Sequence, residues 1–491
     1  MNKNSSFFGL MLVDCPLLVY SGAVYLWAGD RFFMCRLAWI FLASFILTAC
    51  SQDTQKVDNL PQDKFIRAYF NHRETAATYI EPYRQIERSG DNLEAVIIKA
   101  IAEAKFSIDI AVQELNLPLV AQALAAKKLE GVEVRVILDN NYSRSFADLK
   151  STEIRDLKLR DRRKYQQYVR FVDLDKNGQL SSTEIAQRDA LKIIREAGIE
   201  IIDDTADGSK GSGLMHHKFI VVDRQTVITG SANFTWSGLF GDPNNLATRG
   251  NVNHLLRIDN ERVASLFTEE FNYMWGNPEL GIKSQFGLAK PWRSPQSISW
   301  QDTKVVVQFA PTSSKQDWSF STNGAIGKAI DNAKESIDLA LFVFSEQEIA
   351  NLLQSKSQQG IEVRGVFDAG FAYRYYSEVL DLLGIVSLWH CQPEPDNNPW
   401  VNPLNTIGTA QTNSGDKLHH KFTVIDRETI ISGSQNWSAA ANYQNDEAII
   451  IIKNLTVAKH FSQEFLRLYN SAELGVSATL KYKLERQDKC E

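Results

Sequence analysis

A short pattern occurs twice in this chain, as Met215-His216-His217-Lys218-Phe219-Ile220-Val221-Val222-Asp223 and as Leu418-His419-His420-Lys421-Phe422-Thr423-Val424-Ile425-Asp426. Each copy leads into a second polar cluster, Gly230-Ser231-Ala232-Asn233 in the first and Gly433-Ser434-Gln435-Asn436 in the second. Two matched half-sites in one chain call for two similar folding units that meet. In each copy the apolar run reads as a buried strand that ends at Asp and a turn with Arg. A strand has a side-chain period of two, so His216 and Lys218 share one face, as do His419 and Lys421. His217 and His420 fall on the opposite face and are read as structural.

A neutral imidazole beside a fixed ammonium suits attack on a phosphodiester, because the cation attracts the phosphate oxygens while the imidazole supplies a nucleophile or moves a proton. Two such pairs divide the labour: one His attacks phosphorus, the other protonates the leaving oxygen and then activates water. The candidate catalytic set is His216, Lys218, Asp223, His419, Lys421 and Asp426. Ser231, Asn233, Ser434 and Asn436 are expected to cradle the nonbridging oxygens. A pair of core strands with satisfied His and snorkelling Lys is the alternative, and the duplication with its matching tails argues against it.

These residues resemble the HKD motifs of the phospholipase D superfamily. The resemblance implies two tandem lobes with one active site at their pseudo-twofold interface, chemistry that needs no metal, and a phosphohistidine intermediate. The family pattern continues as Asn, one residue, then Glu. The second half matches at Asn445-Asp446-Glu447, whereas the first has Asn251-Val252-Asn253. A carboxylate stabilises an imidazolium and an amide only orients the ring. The carboxylate is expected behind His419, while family precedent puts the nucleophile on the first motif, so the two cues favour different histidines.

The duplication extends upstream, where Gly131 to Asp139 parallels Gly360 to Asp368, each preceded by an apolar strand, Ser107 to Val112 and Ser336 to Phe344, and a helical stretch. This order predicts an α/β fold of two lobes with mostly parallel sheets covered by crossover helices. The expected divisions are a membrane or signal segment over 1–50, a tether over 51–75, a first lobe over 76–288 and a second over 302–480. Trp292 to Gln301 is the expected connector. The halves differ by two insertions, one after Asp139, centred on 150–196, and one between Trp389 and His419 that reads as a long loop beside the site.

The first insertion contains Asp173-Leu174-Asp175-Lys176-Asn177-Gly178-Gln179-Leu180-Ser181-Ser182-Thr183-Glu184, which fits the twelve-residue EF-hand loop. Expected calcium ligands are Asp173, Asp175, Asn177, the Gln179 carbonyl, Ser181 directly or through water, and Glu184, with Gly178 at the sharp turn. A lone hand binds weakly, which suits the high calcium found outside the cytoplasm.

Two amino-terminal stretches are apolar, Phe7 to Ala28 and Phe32 to Ala49. Met34-Cys35-Arg36 followed by an apolar run and Leu47-Thr48-Ala49-Cys50 resembles a bacterial lipoprotein signal, with Cys50 as the acylated residue and Met34 as a candidate start. The expected location is extracytoplasmic and membrane-anchored. Cys391 and Cys490 would remain in the mature chain, available for a disulfide.

A net charge of -6 argues against indiscriminate affinity for polyanions but leaves room for a local basic groove. Three readings compete. A phospholipase D releasing phosphatidic acid suits the anchor, the charge and the calcium loop. An endonuclease is the second, for which the run from Gly230 to Ser237 and the basic residues Arg155, Lys158, Arg160, Arg162, Arg163 and Lys164 speak, although a solvated helix face explains those bases more simply. Phe371, Tyr373, Tyr375 and Tyr376 would meet bases or acyl chains, or else simply pack. A non-catalytic calcium-dependent scaffold is the third, supported only by Asn253. Phospholipid and membrane are the expected partners, with nucleic acid the alternative substrate, and both motifs in one chain remove any need for a dimer.

Overall fold

The computed structural model describes residues 60–74 and 78–485. The signal segment, Cys50 and Cys490 lie outside them. Among the described residues no helix is long and apolar enough to cross a membrane.

Two large sheets carry the duplication. The first runs, strand by strand, Ile66–Phe70, His254–Asp259, Thr226–Gly230, Lys218–Val222, Ser107–Val112, Glu133–Leu138 and Glu200–Asp203. The second repeats that order as Thr303–Ala310, Glu447–Lys453, Thr429–Gly433, Lys421–Ile425, Ser336–Leu341, Glu362–Phe367 and Ile407–Thr409, and adds Gln296–Trp300 and Glu473–Leu474 at its edges.

The expectation of mostly parallel sheets needs correction. Parallel pairing joins only the last three strands of each repeat, where the helices Pro118–Leu129 and Gln347–Gln358 supply the first crossovers. The motif strands are antiparallel to both neighbours. The cause is local: Asp223-Arg224 and Asp426-Arg427 all adopt positive φ, which makes a tight hairpin. Two boundaries also move. The expected tether contains the strand Ile66–Phe70, and the expected connector contains Gln296–Trp300, because both segments alternate apolar and polar residues along a sheet edge. The second insertion, read as loop, contributes the strand Ile407–Thr409.

The helices Glu261–Trp275 and Leu455–Asn470 follow equivalent strands and start on Asn caps, Asn260 and Asn454 accepting from the backbone N–H of Val263 and Val457. Their apolar faces, with Phe267, Phe271, Phe461 and Phe465, enter one core that also takes Phe219 and Phe422 from the two motif strands. A separate core lies on the outer face of each sheet. Burial on both sides explains why the motif strands are apolar without alternation.

Candidate active site

The motif histidines sit just ahead of their strands, which begin at Lys218 and Lys421. Each approach segment pairs with the other lobe. His216 N donates to Asp446 O at 3.0 Å and Asp446 N to Leu214 O at 2.9 Å, while His419 N donates to Val252 O at 3.0 Å and Val252 N to Lys417 O at 2.8 Å. Asp139 and Asp368, at the ends of equivalent strands, fix the same segments by accepting from Met215 N at 3.1 Å and Leu418 N at 3.0 Å. These reciprocal contacts set the pseudo-twofold site.

The cross-pairing overturns the expected partner of Glu447. Its Oε1 lies 2.7 Å from His216 Nδ1, across the lobe boundary, in a close contact bent away from ideal hydrogen-bond alignment. His419 Nδ1 instead meets Asn253 Oδ1 at 2.9 Å. Asn253 Nδ2 donates to the Gly238 and Asn251 carbonyls, each at 3.2 Å, which leaves Oδ1 as the acceptor and assigns the His419 proton to Nδ1. Both rings therefore turn Nε2 away from their supports.

Ser231 and Ser434 were expected to hold phosphate, but they hold the supports. Ser231 Oγ donates to Asn253 Oδ1 at 2.9 Å and Ser434 Oγ to Glu447 Oε2 at 2.6 Å. Their preceding glycines need their lack of a side chain, since a Cβ at Gly230 or Gly433 would collide with the carbonyl oxygen of His254 or Ala448. Asn233 and Asn436 each have a buried amide oxygen without a hydrogen-bond partner, and Asn233 Nδ2 donates to Gln113 Oε1 at 3.3 Å.

Asp223 and Asp426 are not at the reaction centre. They lie at the far ends of the motif strands, roughly 17 Å along the chain from the lysines at about 3.3 Å per residue. Asp223 accepts from the backbone N–H of Lys105, Phe106 and Ser107, and Asp426 from those of Lys334, Glu335 and Ser336. Their task is to tie the hairpin turn to the start of the neighbouring strand.

Lys218 and Lys421 are buried, and each Nζ donates to the carbonyl of its own motif histidine, at 2.8 and 2.9 Å. Burial pushes Lys218 down to about 7. Burial and the Lys218 charge push Lys421 well below the usual lysine range. Burial, followed by the two lysine charges, holds both His216 and His419 well below the ordinary imidazole value. Burial raises Glu447 to about 7 against the pull of Lys218. Two ammonium groups forced together among neutral imidazoles favour an anion between them.

Outside this centre, His217 and His420 occupy the structural positions expected of them, bonded to Glu270 at 2.8 Å and Glu464 at 3.0 Å. Lys290, which no sequence pattern marked, bridges Glu270 and Asp446. His254 links Ser432 and His420 across the lobes, at 2.6 and 2.9 Å.

The surroundings of the two histidines differ. At equivalent positions the first lobe has Gln113 and Tyr142 and the second Phe342 and Phe371. The Phe342 ring lies 4.7 Å from that of His419 and 4.6 Å from that of Phe371. Farther along, Tyr375 stacks on the exposed Trp389, whereas Tyr373 is core. On the first-lobe side a cleft of about 870 Å³ runs from Gln113 and Leu214 to the helix Leu159–Val172 of the insertion. Of the basic stretch, Lys158, Arg160 and Lys164 line it.

That helix ends at Asp173, and the EF-hand-like loop leads to the helix Ser182–Arg188. Asp173, Asp175 and Glu184 bring carboxylate oxygens within 4.8 Å of one another. Asp173 and Asn177 accept from the N–H groups of Gly178 and Gln179, and Glu184 is held down to about 2 by hydrogen bonds from the Ser181 backbone and hydroxyl. An ionised, acceptor-only cluster of this kind fits a hard cation. Cys391 takes part in a disulfide, and all other cysteines fall outside the described residues.

Comparison with known proteins gives a consistent result. The family described as "Cardiolipin synthase, PLD-like domain" matches residues 97–275 and 326–469. Human mitochondrial cardiolipin hydrolase is 28% identical over 142 residues, 29% of this chain and 48% of that protein. A phospholipase D of Rickettsia felis is 27% identical over 146 residues, 29% of this chain and 60% of its own length. The chain thus spans about half the length of the curated relatives it matches. Among solved structures, phosphatidylserine synthase of Haemophilus influenzae aligns over 88% of this chain and 95% of its own, with a TM-score of 0.50 and 11% identity, a likeness of fold.

Proposed function

Since the chain belongs to the PLD-like domain family of cardiolipin synthase, we propose that it is a phospholipase D-type phosphodiesterase that hydrolyses a glycerophospholipid to phosphatidic acid and a free head group. The observation that carries this choice is the unlike surroundings of the two histidines, the polar Gln113 beside Asn233 on the first lobe and the Phe342 ring against His419 on the second. A phospholipid presents two unlike substituents on its phosphate, one polar and one apolar. A polynucleotide presents the same backbone on both sides.

His216 is assigned as the nucleophile because the carboxylate stands behind it. The scissile phosphate lies between Lys218 and Lys421, whose charges oppose the build-up on its oxygens. His216 Nε2 donates its lone pair to phosphorus, and the bond from phosphorus to the leaving oxygen breaks. That oxygen takes the Nε2 proton of protonated His419, a form that binding of the anionic diester favours. His419, now neutral, removes a proton from water, whose oxygen attacks phosphorus. The phosphorus–nitrogen bond breaks and its electron pair returns to His216. No step draws on a metal.

Asp173, Asp175, Asn177, the Gln179 carbonyl, Ser181 and Glu184 would hold calcium, which would order the insertion that walls the cleft. Lipidated Cys50 would anchor the enzyme outside the cytoplasm, where such a loop meets enough calcium to fill.

The test is parallel turnover by a soluble fragment beginning after Cys50, with and without calcium, on mixed phospholipid vesicles and on single- and double-stranded DNA. Release of phosphatidic acid with intact DNA is expected. DNA cleavage with untouched lipid would replace this reading by an endonuclease.

A further inference from the structure

The cleft between the first lobe and its insertion is larger than the scissile phosphate requires. Its floor belongs to the reaction centre: Gln113 touches Asn233, and Leu214 is two residues from His216 and bonded to Asp446. Its far wall is the helix Leu159–Val172, which presents Lys158, Arg160 and Lys164. Among the described residues none of these three forms an ion pair; Lys164 Nζ meets only the Tyr142 hydroxyl, at 3.2 Å, and the face of its ring. Of the acids in the same lining, Asp189 is occupied by Ser145, by Tyr168 at 2.6 Å and by the Lys192 backbone N–H. Glu114 is raised by burial and pulled down by the charges of Lys164 and Arg160, and Asp161 lies on the same helix as they do.

We infer that this cleft is a second anion subsite, built by the insertion, that takes a phosphate group of the substrate beyond the one being cleaved. The inference rests on the phosphodiesterase reading and narrows the substrate to lipids whose head group carries another phosphate. Three cations in no close ion pair, lining the cleft that opens from the reaction centre, match a group that is itself anionic and lies on the same molecule. The equivalent place in the second lobe sets Phe342 and Phe371 beside His419, with Arg374 and Lys417 over the Phe371 ring.

Soluble probes test the subsite without a lipid. Hydrolysis of bis(p-nitrophenyl) phosphate by the fragment beginning after Cys50 is inhibited with glycerol 1-phosphate and with glycerol 1,3-bisphosphate, in the wild type and in Arg160→Ala/Lys164→Ala. Arg160 is exposed and Lys164 half-buried, and an unchanged Tm checks the variant's fold. The bisphosphate is expected to bind about tenfold or more tighter than the monophosphate in the wild type, and the variant to erase that ratio. A wild-type ratio near one, or a ratio that survives the double substitution, overturns the subsite. Vesicles of cardiolipin and of phosphatidylglycerol, matched in surface charge, extend the test. Preference for the lipid with two phosphates, lost in the variant, supports it. If neither lipid is turned over while the bisphosphate ratio holds and depends on Arg160 and Lys164, the subsite stands and the phospholipase reading falls.

Discussion

The two lobes repeat seven strands in the same order, yet they hand the active site different chemistry. The first gives up its own carboxylate and receives Glu447 from the second, while the second receives only Asn253 in return. The first sets Gln113 beside its Asn233, the second the Phe342 ring against its histidine. Duplication supplies the geometry of two facing imidazoles, and in the proposed mechanism divergence at a few positions decides which one attacks. An imidazole backed by carboxylate tolerates the positive charge of a phosphohistidine; one backed by an amide gives up its proton more readily. The unequal supports suit unequal roles.

The sharpest way to break this comparison is to remove each half of it. His216→Ala and His419→Ala should each lower turnover by roughly 10³-fold or more. Quenched reactions should trap a covalent phosphoenzyme in His419→Asn and none in His216→Asn. The supports should separate as well: Glu447→Gln should cost about 10²-fold or more in kcat, and Asn253→Ala clearly less, because only the first removes a charge from the imidazole. Equal losses, or a phosphoenzyme trapped only when His216 is replaced, would reverse the assignment.

The pH profile sharpens the lysine pair. Lys218 sits near 7 through burial, so its cationic form is present below that value and lost above it. For a soluble diester, kcat/KM should fall about tenfold per pH unit above roughly pH 7, since that parameter follows the free enzyme. Lys218→Arg, which stays charged, should leave only the decline set by Lys421 in whatever activity remains. A flat profile from pH 6 to 9 would mean that the buried ammonium keeps its proton.

Much of this was legible in one dimension because it is local. The doubled His-x-Lys runs, the repeated Gly131–Asp139 and Gly360–Asp368 strands and the twelve-residue acidic loop all show themselves by spacing. What could not be read is what crosses from lobe to lobe. Glu447 stands eleven residues after Asn436 in its own half, and nothing in that spacing says that the Gln444–Asp446 segment pairs with Leu214–His216 of the other. Asp223 and Asp426 misled for the opposite reason: they belong to the pattern, but the strand between carries them away from the chemistry. Lys290 belongs to no repeat, so its bridge from Glu270 to Asp446 had no sequence signal. Parallel pairing was overestimated because a strand buried on both faces looks the same in either orientation.

The insertions allow a gentler comparison. The helix that lines the basic cleft ends in the proposed calcium loop, and Phe171, two residues before Asp173, stacks on Trp236 at 4.7 Å beside the Asn233 cluster. Removing calcium should lower the melting transition that contains this insertion by roughly 5 °C when the ion had been near a hundred times its Kd. It should also raise KM more than it lowers kcat. Glu184→Gln should abolish both responses, and terbium luminescence sensitised by nearby aromatics should report the lost site directly. Unchanged melting and KM in chelator would leave the loop as a metal-free helix connection.

The smallest expected effect lies where the second insertion packs on the helix Glu378–Leu382 and acids gather instead of bases. Glu378 is raised to about 9 by burial and by Asp381, Glu394 and Asp396. Asp381 in turn binds the Gln347 amide at 3.0 Å and the Asn398 backbone N–H at 2.9 Å, which pins the loop beyond Trp389. In the folded chain Glu378 keeps its proton far above the ordinary glutamate value, so its contribution to stability is full below about pH 4.5 and is lost progressively as pH rises toward 9. Glu378→Gln retains a donor toward Asp381 and cannot ionise. Its Tm should therefore exceed that of the wild type by about 2–4 °C at pH 8 and match it at pH 4. A gain that persists at pH 4 would trace to packing, and no gain at pH 8 would mean that the cluster shares its charge with a cation.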